Sequence, residues 1–267
     1  MKLVFRKYGS GPSLIILHGL YGSSDNWITI ARMISGRFTV YLPDMRNHGL
    51  SPHSEEMNYD AMSSDIFELA EEERLTRFFL AGHSMGGKAA INFALRFPEK
   101  LNGLLIADIS PFTTEVSEKE AFDQHKKILD SMLSFDPGKI KSRAEAESIL
   151  KSRLIPEKTS GFILKNLQRD QDNIFRWKLN VPVLLSNLHR ITEGLDRDRI
   201  DEIRTSGFPV TVLKAADSDY ILKDDYADIL RLFPSAEIKE IPNAGHWLHA
   251  DQPELVAKYI IDLASSD

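Results

Sequence analysis

The stretch Phe78-Phe79-Leu80-Ala81-Gly82-His83-Ser84-Met85-Gly86-Gly87-Lys88 decides how this chain is read. Its first four residues are a continuous apolar run, the pattern of a strand buried on both faces. The run stops at Gly82. A segment rich in Ala and small residues follows from Met85 to Phe97 and is ended by Pro98, which reads as a helix. Between the two, Gly82-His83-Ser84-Met85-Gly86 matches Gly-x-Ser-x-Gly. In a strand-to-helix turn this pattern holds a serine in a sharp, strained bend, so the residues two before and two after it must lack bulk. Gly87 adds clearance. The helix start sets a positive dipole end beside the hydroxyl, favouring developing negative charge. Ser84 is the candidate nucleophile; the bland alternative is a Gly-rich turn that serves helix packing.

Outward from this turn, strand and helix patterns alternate. Residues 2–8 read as a short strand. Leu14-Ile15-Ile16-Leu17 is a buried strand ending at His18-Gly19, and Phe38-Thr39-Val40-Tyr41-Leu42 is another, stopping at Pro43-Asp44. Residues 25–34 and 59–70 have helical spacing, and 101–109 form a further apolar strand. Such alternation predicts a parallel sheet with helices on both faces and right-handed crossovers. From 110 to 206 the pattern is mainly helical, with helices expected at 116–135, 142–154 and 156–168, while 181–185 fits strand or helix. The strand pattern returns at Pro209-Val210-Thr211-Val212-Leu213, followed by a helix at 224–232, a strand at 236–241 and a helix at 254–263. The expected organisation is a core of residues 1–109 and 207–267 with a helical cap, or lid, at 110–206.

The 267 residues suffice for one large α/β unit with a full core. Lys and Arg number 33 against 39 Asp and Glu, a net charge of -6, which argues against a general nucleic-acid binder. There is no cysteine, so disulfides, thiolate zinc sites and cysteine nucleophiles are excluded. No apolar run approaches a membrane span, and the first residues lack a signal-peptide core. A cytoplasmic protein is expected, needing no cofactor and no metal.

A serine hydroxyl needs a general base. After a Gly-x-Ser-x-Gly elbow the partners follow in the order acid, then histidine. His246 and His249 lie late enough. His246 is preferred because Asn243-Ala244-Gly245-His246-Trp247 directly follows the last strand, with Gly245 expected to let the loop turn over the serine. The oxyanion donors expected are the backbone N–H groups of Met85 and Leu20, the latter following His18-Gly19. Among the remaining histidines, His18 is expected to order the loop behind the oxyanion hole, His83 to pack beside the nucleophile and His48 to act as scaffold.

Four segments together resemble small serine esterases of the α/β-hydrolase superfamily, a bacterial branch with mitochondrial relatives. They are His18-Gly19-Leu20-Tyr21-Gly22-Ser23-Ser24-Asp25-Asn26-Trp27, Asp44-Met45-Arg46-Asn47-His48-Gly49-Leu50-Ser51, the elbow through Lys88, and Asn243-Ala244-Gly245-His246-Trp247. The resemblance implies the α/β-hydrolase fold, with a mostly parallel twisted sheet of about seven or eight strands and the cap inserted after the sixth. It also implies hydrolysis of short-chain carboxylic esters, with acyl-CoA thioesters as a second substrate class, through a Ser-His-Asp triad and an acyl-enzyme. In most of the superfamily the acid follows the strand ending near Leu213. Here that place reads Ala215-Ala216-Asp217-Ser218, with serine at the expected position. In the resembling esterases the acid sits earlier, where this chain has Asp108 at the carboxyl edge of the sheet. Asp108 is therefore preferred, with Asp217 and Asp219 as alternatives.

Leu20, Phe112, Trp177 and Trp247 are candidate pocket residues. Lys88, Arg46, Lys126 and Lys127 are candidates for an anionic substrate group, although solvated charges explain each as well. Two other readings stay open: a carbon–carbon bond hydrolase or cofactor-free lyase on the same fold, expected to carry a deep Arg cluster, and a non-catalytic ligand receptor.

Overall fold

The structure, a computed structural model, describes residues 1–265. Strands β1 (Phe5–Tyr8), β2 (Ser13–Leu17), β3 (Thr39–Pro43), β4 (Phe78–His83) and β5 (Leu101–Ala107) alternate with helices α1 (Ile28–Ile34), α2 (Tyr59–Glu72) and α3 (Met85–Arg96). The apolar runs are continuous because each is covered twice. Ile15, Leu17 and Leu80 pack into the core on one face; Leu14, Ile16 and Ala81 pack into the core on the other. Asn58 starts α2, its side chain accepting a hydrogen bond from the N–H of Ala61 at 2.8 Å.

After β5 the chain leaves the sheet for helices α4 (Glu115–Leu133), α5 (Arg143–Ser152) and α6 (Glu157–Leu164). A small antiparallel pair follows, β6 (Leu167–Arg169) and β7 (Phe175–Trp177), then α7 (Val181–Ser186), α8 (Leu188–Thr192) and α9 (Ile200–Ile203). The sheet resumes at β8 (Val210–Ala215). It is completed by α10 (Asp225–Leu232), β9 (Ala236–Ile241), α11 (Leu248–Asp251) and α12 (Pro253–Leu263). Among the described residues the main sheet has seven strands in the order β1-β3-β2-β4-β5-β8-β9. All neighbours pair in parallel except β1 with β3.

The fold is the α/β-hydrolase fold, with two departures from the expected elements and one open segment decided. The insertion leaves after the fifth strand, not the sixth: among the described residues the first strand is β1, which pairs directly with β3 (Phe5 opposite Pro43, Tyr8 opposite Val40). The ambiguous segment near 181–185 is helical, with Pro182 in the first turn, where its missing N–H costs nothing. The helix expected to reach 168 ends at Leu164. Residues 167–169 pair with 175–177 across a turn in which Asp170 accepts the N–H groups of Asp172 and Ile174 and Asn173 adopts φ 61°.

Residues 110–206 are tied to the core at several points. The insertion exits and returns side by side, with the Leu195 N–H on the Pro111 carbonyl at 2.8 Å. The Asn166 side chain donates to the Tyr21 carbonyl (2.6 Å) and the Asn180 N–H to the Asn47 carbonyl (3.0 Å). Arg46, considered above for substrate binding, is buried and grips Asp65 through Nε (2.7 Å) and Nη2 (2.9 Å). It pins the loop after β3 to α2 and does not face a ligand. Asp65 is fully buried and also holds the Met1 amine at 2.6 Å, so removing Arg46 leaves the carboxylate with one of its two cations and the carbonyls of Glu56 and Ala61 without their donor. Arg46→Met is expected to lower unfolding free energy by roughly 1–3 kcal/mol, measured by urea denaturation; a loss below about 0.5 kcal/mol would show the pair to be dispensable.

Candidate active site

The carboxyl ends of β4, β5 and β8 meet at one place on the sheet. Ser84 follows β4 and adopts φ 53°, ψ -120° as the residue before α3. Asp108 follows β5 with φ 49°. Left-handed backbone at a non-glycine residue costs about 1–2 kcal/mol, and two such residues stand at adjacent strand ends. Sheet-edge hydrogen bonds hold both: Ser84 N–H to Ala107 O (3.1 Å) and Asp108 N–H to Leu213 O (2.8 Å). The glycines of the elbow are sterically required. A Cβ on Gly82 would lie 2.2 Å from the Gly86 carbonyl oxygen, and one on Gly86 would lie 2.6 Å from the carbonyls of Leu17 and His18.

His246 arrives on the loop after β9. Its Nδ1 donates to Asp108 Oδ2 at 2.8 Å. The same oxygen accepts Ser218 Oγ at 2.6 Å, and Oδ1 accepts the Ala215 N–H at 2.9 Å. Asp108 is wholly buried, so these three donors are what make its negative charge tolerable. His83 Nε2 donates to the His246 carbonyl (2.7 Å), and the Tyr220 ring stacks on the imidazole with centroids 3.9 Å apart. The ring is thus fixed from its nitrogen, its backbone and its face. Ser84 and His246 line the same cavities. Asp217 and Asp219 make no hydrogen bond to His246 among the described residues and sit exposed at the cavity mouth. Gly245 is not what turns the loop: a Cβ there would meet nothing closer than 3.7 Å, and Asn243 supplies the positive φ of 53°.

On the opposite side His18 holds the loop after β2. Its Nδ1 lies 2.9 Å from the Gly19 carbonyl and its Nε2 accepts the Met45 N–H at 2.9 Å, which defines an Nδ1-protonated, neutral ring. Burial lowers its pKa, as it does for His83. Tyr21, the residue after Leu20, has φ 63°, and its hydroxyl lies 3.3 Å from His125 Nδ1 of α4. Met85 is the first residue of α3, so its N–H has no carbonyl within the helix to bond.

Ser84 stands where two cavities meet. The smaller, about 240 Å³, is walled by aromatic residues including Trp27, Phe162 and Trp247. The larger, about 410 Å³, has apolar walls from Leu20, Met85, Ile109 and Phe112. Trp177 lines neither: β7 turns it edge-on against Phe135, with centroids 5.8 Å apart, and Phe162 stands nearer the serine in its place. Lys88 lines the larger cavity, and burial pushes its pKa down to about 8. Lys126 is exposed and paired with Asp130. His125, a histidine of the insertion, and Tyr220 line both cavities; Tyr220 carries no sequence motif, and its place follows from the strand β8 that precedes it.

The fold and this cleft together define an α/β hydrolase. The chain belongs to the alpha/beta hydrolase family, whose model matches residues 14–259. Within that family it is an esterase/lipase-type hydrolase. It is 36% identical over 254 residues to the sn-1-specific diacylglycerol lipase ABHD11 of Danio rerio, covering 94% of this chain and 77% of that protein. It is 30% identical over 247 residues to esterase YbfF of Escherichia coli strain K12, covering 92% and 91%. A solved structure of a marine microorganism esterase is 40% identical, covers 98% of this chain and 99% of its own, and superposes with a TM-score of 0.91. Among the described residues no helix is long and apolar enough to cross a membrane.

Buried histidines give the site a pH dependence of stability. Burial pushes His249 and His48 down to about 3, and His249 stacks on Trp27 with centroids 4.8 Å apart. An unfolded imidazole titrates near ~6.5. Between these values the unfolded chain holds a proton that the folded chain does not, so stability is full above about pH 6.5 and falls as pH drops toward 3. Each such group contributes a slope of about 1.4 kcal/mol per pH unit. His249→Phe is expected to flatten the fall in unfolding free energy between pH 6 and 4 by about that amount, read from denaturation curves; an unchanged slope would mean that His249 is already protonated in the folded state.

Proposed function

We propose that this chain hydrolyses short-chain carboxylic esters through Ser84, His246 and Asp108 and an acyl-enzyme intermediate. The observation that carries the reading is the Asp108–His246 hydrogen bond, which aims the imidazole into the cavities that Ser84 lines. Asp108 accepts the Nδ1–H hydrogen bond and stays ionised, which fixes the tautomer with Nε2 as the basic nitrogen. His246 then removes the Ser84 proton as Oγ attacks the ester carbonyl. The oxyanion forms against the backbone N–H groups of Leu20 and Met85, each worth on the order of 3 kcal/mol. Collapse of the intermediate expels the alkoxide, which takes the proton from His246. Water, deprotonated by the same imidazole, releases the carboxylic acid and restores Ser84.

Residues 110–206 act as a lid in this reading. Their Phe112, Phe162 and His125 cover the serine and limit the water that reaches it. The same steps would cleave an acyl-CoA thioester. A carbon–carbon bond hydrolase acting on an anionic substrate is less well supported: the arginine of the larger cavity, Arg197, is already paired with Asp225 and Asp228.

With p-nitrophenyl butanoate the wild-type protein is expected to turn over, and Ser84→Ala to lose roughly 10⁴–10⁶-fold in kcat. A fluorophosphonate is expected to label Ser84 alone. Turnover that survives Ser84→Ala would remove the serine from the mechanism, and absence of labelling would favour a binding role.

A further inference from the structure

The larger cavity ends on a wall of two residues with a second cavity behind it. Lys88 and Tyr59 line both the catalytic cavity and a separate cavity of about 150 Å³ that reaches the surface beside Asp60 and Glu193. Lys88 lies one helical turn beyond Ser84 on α3, and Tyr59 opens α2. Both reach across to the same short run of cap backbone at the end of α8. Tyr59 Oη donates to the Ile191 carbonyl at 2.6 Å; Lys88 Nζ donates to Thr192 O at 2.9 Å and to Glu193 O at 2.6 Å. Three consecutive carbonyls with no following helical turn are thereby satisfied by two core side chains.

Lys88 is an unusual residue for this place. Its side chain is 92% removed from solvent, since only 8% is exposed, yet its amine holds two neutral carbonyls and no carboxylate within hydrogen-bond distance among the described residues. Met85, Ile109, Phe112, Ile191 and Leu222 give the chamber an apolar stretch of wall, beside polar lining from the cap and from the loop after β8. A methylene chain threading away from Ser84 along this wall meets an ammonium and a phenol anchored to backbone. Methylenes pressed against the ammonium offer no acceptor to its third N–H, which is unfavourable. Removing the wall joins the chamber to the space behind it.

We propose that Lys88 and Tyr59, locked onto the 191–193 carbonyls, are the stop that limits the length of the hydrocarbon chain accepted beside Ser84. The inference rests on the esterase reading above. It makes Lys88 and Tyr59 specificity-determining residues that act by closing the chamber, with no part in bond making.

The test is a chain-length series of p-nitrophenyl esters from acetate to dodecanoate on wild type, Lys88→Ala, Lys88→Met and Tyr59→Ala. The wild-type protein is expected to prefer butanoate to decanoate by at least about tenfold in kcat/KM, since each methylene in or out of a pocket is worth roughly 10–200-fold. Lys88→Ala opens the wall, and the decanoate-to-butanoate ratio is expected to rise at least about tenfold. Lys88→Met keeps the bulk and is expected to move the ratio less. Tyr59→Ala opens the wall from the other side and is expected to move it in the same direction as Lys88→Ala, so it decides the matter if Lys88→Ala does not fold. A purely structural role would lower both esters together and leave the ratio where it was. An unchanged ratio in variants whose Ser84 is still labelled by fluorophosphonate overturns the stop. Failure of the wild-type protein on every ester overturns the esterase reading, and the stop with it.

Discussion

The hydrogen bond between Asp108 and His246 is the constraint on which the rest of the structure converges. It joins residues 138 positions apart in the chain. To make it, β5 must end one residue before Asp108, and Asp108 must take a left-handed backbone that few side chains adopt readily. Its carboxylate must be buried yet supplied with donors, which β8 provides through the Ala215 N–H and the loop beyond it through Ser218. Asp108 therefore hangs from one strand and is stabilised by its neighbour. Ser218, beyond β8, gives its hydroxyl to the Asp108 carboxylate at the end of the adjacent strand.

The same economy governs the serine side. Ser84 is strained, and its glycine neighbours are fixed by backbone contacts shorter than any side chain tolerates. His18, locked between the Gly19 carbonyl and the Met45 N–H, positions the loop that carries Leu20. The insertion between β5 and β8 then adds shape. His125, Phe162 and Phe112 come from the insertion, while Leu20, Trp247 and Tyr220 come from the core, so neither part alone encloses the serine.

Much of this was legible in the residues because its cause is local. The elbow is read from a buried strand, two glycines and a small-residue helix. His246 is read from chain order and from its loop after the last strand. Asp108 is where the strand-edge argument and the esterase resemblance both point. What stayed hidden depends on long-range placement. Trp177 is drawn away from the serine by a hairpin whose pairing a helical pattern masked. Arg46 looks available until Asp65 of α2 closes on it. Gly245 suggests a turn that Asn243 makes instead. Tyr220, stacked on the imidazole, follows a strand by five residues and has no signature of its own.

The central claim is that Asp108, and neither Asp217 nor Asp219, orients the base and stabilises the imidazolium it becomes. It is tested most directly by comparing kcat for p-nitrophenyl butanoate in Asp108→Asn, Asp217→Asn and Asp219→Asn. Asparagine at 108 keeps the shape but can donate to His246 Nδ1 and so favours the wrong tautomer; its turnover is predicted to fall by about 10⁴-fold, with the other two variants within about threefold of wild type. A large loss in Asp217→Asn or Asp219→Asn with near-normal turnover in Asp108→Asn would contradict the account.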